Sequence, residues 1–160
     1  MKIGIDPGKV NTGVVLLDEN DDILESCVLS MKDIGLVGVV DKIWELCNPH
    51  DITSITSVGI ERYVAYRGVM TADSEYIIKL IGALEYLFES NGFPVKLYRA
   101  VDWKIRLCKH LFKTCDFKNP SKKFDKKYSM AAAEAVIGYS TKTDHEADAA
   151  CIAYYAGVDK

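Results

Sequence analysis

Four side chains spread along this chain have the types and spacing to do chemistry together. Asp6 closes the run KIGID and is followed by Pro7 and Gly8, which turn the chain away and leave the carboxylate at the edge of a strand. An Asp before Pro-Gly is more often turn chemistry than catalysis, so Asp6 decides nothing alone. Glu61 directly continues the apolar run SVGI, and burying an unpaired carboxylate costs on the order of several kcal/mol. It needs a cation or a donor nearby, and a salt bridge to Arg62 or Arg67 is as good an account as a ligand role. His145 and Asp148 share one face near the start of a helical segment. Asp148 stands between Ala147 and Ala149 on a face built for close packing, whereas a lone histidine at a helix start is ordinarily a surface residue.

Considered as a set, the four change meaning. Two acids at strand ends and a helix-borne His-x-x-Asp are what a hydrated Mg²⁺ pair requires, because hard cations prefer carboxylate oxygen. Two such ions about 3.5–4 Å apart serve the attacking water and the leaving oxygen of a phosphodiester. A bridging acid on a central strand would hold both.

The elements that must position these groups are legible in outline. KIGID, TGVVLLD and ILESCVLSM are separated by the turn formers PGKVN and ENDD, which predicts three short strands in an antiparallel meander. Ile34, Val37, Val40, Ile43, Trp44 and Cys47 recur at helical spacing until Asn48 and Pro49, predicting one amphipathic helix weakened by Gly35 and Gly38. ITSVGIE is apolar and β-branched enough for a buried strand, parallel to an earlier one if a helix makes the crossover. Tyr76, Ile77, Leu80, Ile81, Leu84, Leu87 and Phe88 mark a strong helix ended by Asn91 and Gly92. VKLY is the next strand; Asp102 then caps a short basic helix, WKIRLCKHLFK, and Asp116 to Lys127 reads as a mobile basic loop. Thr143 and Glu146 have the form of a capping box, so a helix begins there and runs through Ala156.

Composition bounds the function. At 160 residues with 49% apolar content, the chain is expected to be one domain, residues 1–160, with a core that needs no staples. The longest uncharged stretch, Ala149 to Val158, is ten residues, half of the roughly 20 a spanning helix needs. MKIGIDPG reaches Asp6 before an apolar signal region could form, and five scattered cysteines contain no CxxC pair, so a reducing, cytoplasmic setting is expected rather than secretion. The net charge of -3 conceals an asymmetry: Arg99 to Lys127 holds ten Lys/Arg against three acids, a local balance of +7 where a polyanion could dock. A solvated helix face followed by a charged loop would give the same count.

At this point the sequence resembles the RuvC family of Holliday junction resolvases, within the RNase H-like superfamily. The resemblance is carried by IGIDPGKVNTGVVLLD, VGIERYVAYRGVMTADSEYIIKLIGALE and DHEADAACIAYYA, in family order and over nearly the whole chain. It implies an α/β RNase H-like fold: a five-stranded mixed sheet, three antiparallel strands then two parallel ones, flanked by helices. It also implies catalytic and metal positions at Asp6, Glu61, His145 and Asp148, with two Mg²⁺ ions for which Mn²⁺ substitutes. Members vary between His and Asp at the position of His145, whose role would be to bind metal or to position water.

The family's basic stretch before the last helix is represented by KNPSKKFDKK, without its glycine- and arginine-containing pattern. Lys118, Lys122, Lys123, Lys126 and Lys127 would there neutralise backbone phosphates; after the second acid, Arg62 and Arg67 are further DNA-contact candidates, and Tyr63 and Tyr66 stand nearest to the aromatic residue that the family offers near the junction centre. The implied activity is Mg²⁺-dependent hydrolysis of branched DNA, especially four-way junctions, by a twofold homodimer with the Tyr76–Phe88 helix as candidate interface. The same superfold leaves other readings open: an RNase H-like ribonuclease or RNA-processing nuclease, and a non-catalytic branched-DNA binding module. A nucleotide-binding phosphotransferase would need a second lobe. Cys108, His110 and Cys115 lie near one another but lack common zinc-ligand spacing.

Overall fold

The computed structural model describes residues 1–64, 71–114 and 126–159. Strands β1 (Lys2–Asp6), β2 (Asn11–Leu17) and β3 (Ile23–Ser30) form the expected meander, with antiparallel registers Gly4 opposite Val15 and Val14 opposite Cys27. Helix α1 (Met31–Cys47) leads to β4 (Ser57–Glu61), which pairs parallel with β1, not with β3. Helix α2 (Ala72–Ser90) then crosses over to β5 (Val95–Tyr98), parallel to β4. The sheet order is β3-β2-β1-β4-β5, so the first strand is central and carries Asp6 at the middle of the sheet's edge. Helices α3 (Ala100–Thr114), α4 (Lys126–Ile137) and α5 (Asp144–Val158) complete the chain.

Strand periodicity sorts the two faces. Ile3, Ile5, Val14, Leu16, Val58 and Ile60 bury themselves with Val39, Ile43, Leu80, Leu84 and Phe88 of α1 and α2. The opposite face, with Val15 and Leu17, packs against Trp103, Leu107, Tyr128, Cys151 and Ile152 from α3, α4 and α5. Because successive side chains alternate, the residues of β1 and β4 that share a face with Asp6 and Glu61 are Gly4 and Gly59. Both acids therefore point to the α5 side.

The glycines set how closely α5 can lie. A Cβ on Gly4 would stand 2.0 Å from the Ala149 carbonyl oxygen, and one on Gly13 would stand 2.1 Å from that of His145. Bare backbone on β1 and β2 lets α5 rest directly on the sheet, and this contact holds its first turn over the strand ends. Thr143 caps α5, its hydroxyl accepting from the Glu146 N–H at 3.1 Å. Only half of the expected capping box forms. The buried Glu146 carboxylate accepts instead from the Lys142 N–H (2.8 Å) and the Ser26 hydroxyl (2.6 Å), tying α5 to β3.

Three expectations need correction. Helix α1 is interrupted: Gly35 adopts φ 68°, a left-handed conformation, so Ile34 and Val37 leave the apolar stripe and are exposed while Val39, Ile43 and Cys47 are buried. Asp102 lies inside the first turn of α3, where it pairs with Arg99, so it is not that helix's cap. Lys126 and Lys127 begin α4 and do not belong to a loop, and α4, whose alanines pack on α5, went unassigned in the sequence because it lacks a polar face of clear period.

Candidate metal centre

Asp6 leaves β1 where Pro7 ends the pairing, and Glu61 is the last residue of β4, so the two parallel strands present their acids side by side. Asp148 comes down from the first turns of α5. One oxygen from each of Asp6, Glu61 and Asp148 falls within 4.8 Å of the other two. These three come from the beginning, middle and end of the sequence, as expected.

His145 stands slightly apart. Its Nδ1 lies 2.7 Å from Asp6 Oδ2, so it contacts one acid and is not a fourth member of the convergent set. That contact, followed by the charges of Asp6, Asp144 and Asp148, holds the imidazole above its ordinary value against the opposing effect of burial.

Two residues that the sequence reading left in a basic amphipathic helix complete the site. The Trp103 indole N–H donates to Glu61 Oε2 at 3.0 Å, and the Lys104 ammonium donates to Asp148 Oδ2 at 3.2 Å. Lys104 also lies 4.9 Å from the Trp103 ring centroid, a cation–π distance. A signal for Trp103 existed: a buried indole needs an acceptor, and an apolar helix face offers none. Among the described residues the donor to Glu61 is Trp103 and not Arg62, while Arg67 lies outside them.

Burial first, then repulsion from Asp6, pushes the Glu61 carboxyl up to about 7, with Trp103 and Lys104 opposing. Burial also raises Asp148, against Lys104 and assisted by Asp6. Asp148 Oδ1 is buried with no donor at hydrogen-bonding distance among the described residues. Three converging carboxylates, one with an orphaned oxygen and another driven toward protonation, fit a hard dication, which would relieve the repulsion and supply the missing partner.

The remaining candidates are placed as follows. Arg62 is exposed beside Glu61, its N–H donating to the Tyr98 carbonyl at 2.7 Å. Tyr63 is half-buried against the α1–α2 core, with its hydroxyl 2.6 Å from that of Ser74 at the start of α2. Tyr66, Arg67, Lys118, Lys122 and Lys123 lie outside the described residues; Lys126 and Lys127 are placed only as the start of α4. Cys115 also lies outside them, Cys108 is buried and His110 sits 3.0 Å from the Tyr154 hydroxyl, so the acidic triad is the metal-competent cluster among the described residues. No helix among those residues is long and apolar enough to cross a membrane.

No protein-family model matches the chain, and no curated protein matches it in sequence. Solved structures do match. The mixed sheet, its order and the helices on both faces define the RNase H-like fold. Within that class the likeness is to RuvC. Thermus thermophilus RuvC in complex with Holliday junction substrate aligns at a TM-score of 0.71 with 17% identity, covering 96% of this chain and 89% of that one. A second Thermus thermophilus RuvC structure aligns at 0.66 with 19% identity, covering 96% and 90%. The chain has the RuvC fold over nearly its whole length, as its three motifs implied.

Proposed function

We propose that this chain is a Mg²⁺-dependent, structure-selective endodeoxyribonuclease that resolves Holliday junctions and related branched DNA as a homodimer. The observation that carries the reading is the convergence of Asp6, Glu61 and Asp148 at the edge of a RuvC-type sheet. The solved relative holding a Holliday junction substrate supports branched DNA as the substrate class.

In this reading Asp6, Glu61 and Asp148 are the catalytic carboxylates and would hold Mg²⁺. The metal would supply charge neutralisation at the phosphodiester and a more acidic water. His145 fixes Asp6 through its Nδ1, Lys104 opposes the burial that raises Asp148, and the small helix-on-sheet gap keeps these groups in register. Hydrolysis would proceed by direct attack of a metal-activated water, without a covalent enzyme intermediate.

Affinity for the DNA backbone comes from the basic region between Arg99 and Lys127, with Arg62 beside the site, and is salt-sensitive with little base discrimination. A four-way junction needs two related nicks, which a twofold dimer supplies. Tyr76, Ile78 and Tyr86 on the exposed side of α2 support that helix as the interface, while Leu80, Leu84 and Phe88 are used by the chain's own core.

The test is a substrate panel in Mg²⁺: labelled four-way junction, three-way junction, linear duplex and RNA–DNA hybrid, with sedimentation to read the assembly. Preferential nicking of branched DNA by a dimer supports the reading. Preferential cutting of the hybrid would replace it with a ribonuclease, and tight junction binding without cleavage would replace it with a binding module.

A further inference from the structure

The Glu61 carboxylate has one hydrogen-bond donor among the described residues, and it is unlike the donors around the other acids. Asp6 is met by an imidazole and Asp148 by an ammonium, both of which change charge or move on flexible stems. Glu61 is met by an indole that is fully buried in the core that Tyr98, Leu107 and α5 residues share. An indole N–H only donates; it cannot ligate a cation, accept a proton or leave its packed position. A single N–H on Oε2 removes the carboxylate's rotational freedom while adding no positive charge to repel an incoming cation.

We propose that Trp103 is a positioning residue for the metal centre: its indole N–H locks the Glu61 carboxylate in the orientation that receives the cation. The residue acts through Glu61 and touches neither metal nor substrate. This deepens the nuclease reading and rests on it only in placing a cation at the triad. Because Trp44, the other tryptophan, packs on Phe88 and Phe93 at the opposite face of the sheet, the chain contains its own control.

The experiment is calorimetric titration of Mn²⁺ into the full chain and into Trp103→Phe, Trp44→Phe and Asp6→Asn, with folding checked by circular dichroism. Trp103→Phe is expected to bind Mn²⁺ about tenfold more weakly, the lower end of the cost of losing a partner behind a metal ligand. Its Mg²⁺ concentration for half-maximal cleavage should rise by the same factor, with a smaller change in kcat at saturating metal. Trp44→Phe should match the parent in both. A folded Trp103→Phe with parental Mn²⁺ affinity overturns the proposal.

If Trp103→Phe does not fold, the indole N–H resonance of Trp103 in the Trp44→Phe chain decides: a Mg²⁺-dependent shift, lost in the added presence of Asp6→Asn, is expected, and an unmoved resonance overturns the proposal. The two readings fail separately. Parental Mn²⁺ binding, weakened by Trp103→Phe, in a protein that cuts no branched DNA would leave the positioning role and remove the nuclease.

Discussion

His145 Nδ1 and Asp6 Oδ2, 139 residues apart in sequence, meet at 2.7 Å where α5 crosses the end of β1. The contact raises the imidazole above its ordinary value of 6.5. A basic group with a raised folded value stabilises the fold fully below about 6.5, and that stability is lost as pH rises through the raised value. In metal-free protein the denaturant midpoint of His145→Gln should fall well short of the parent's at pH 6 and approach it at pH 9. Equal gaps at both pH values would show that the imidazole does not change charge between them.

Glu61 carries the opposite kind of strain. An acid raised from 4.5 to about 7 binds its proton more tightly when folded, so metal-free stability falls as pH rises through that window. Glu61→Gln should therefore stabilise the metal-free protein at pH 8 by about 2 kcal/mol while abolishing cleavage, a trade between stability and activity. Added Mg²⁺ should raise the parent's melting temperature more than the variant's. Thermal melts with and without chelator read both effects.

Lys104 compensates Asp148 inside the protein, and both side chains are largely buried, at 14% and 17% exposure. Removing one partner of such a pair leaves a desolvated charge. Lys104→Met should lower metal-free stability by about 2 kcal/mol, and saturating Mg²⁺ should restore part of it by giving Asp148 a new counter-ion. Chemical denaturation in EDTA and in Mg²⁺ measures the restored fraction, and an equal loss in both would assign Lys104 a purely structural part.

The approach of α5 to the sheet should be sensitive to a single methyl group. In Gly13→Ala the new Cβ would meet backbone, the His145 carbonyl, which cannot swing aside as a side-chain end can. A cost of about 3 kcal/mol is expected, together with metal affinity reduced through displacement of α5. Urea unfolding and Mn²⁺ titration of the same variant check the two consequences together.

The sheet was legible in the sequence because short apolar runs are bounded by turn formers: KIGID and VKLY keep their bounds in the structure. Glu61 and Asp148 were legible because each breaks a local rule, an acid continuing a buried run and an acid on an alanine face, whereas Asp6, ordinary before Pro-Gly, gained meaning only in their company. Trp103 and Lys104 were not, since helical spacing alone assigns one to the core and the other to solvent, and only the folded chain brings them to Glu61 and Asp148. The break at Gly35 was foreshadowed by the glycine but not its consequence, because a left-handed residue resets which side chains face the core. Tyr63 has a partner that its place in the sequence does not show, the Ser74 hydroxyl.

The central claim is that Asp6, Glu61 and Asp148 form one metal-dependent hydrolytic site for branched DNA, and strand-specific mapping of nicks in a four-way junction tests it most directly. Each strand would be labelled in turn and incubated with the parent or Asp6→Asn, in Mg²⁺ or EDTA. The account predicts paired nicks at symmetry-related positions in Mg²⁺ alone, absent with Asp6→Asn although the variant still binds the junction. Nicks that persist in EDTA or with Asp6→Asn, or a parent that binds the junction in Mg²⁺ and leaves every strand intact, would contradict it.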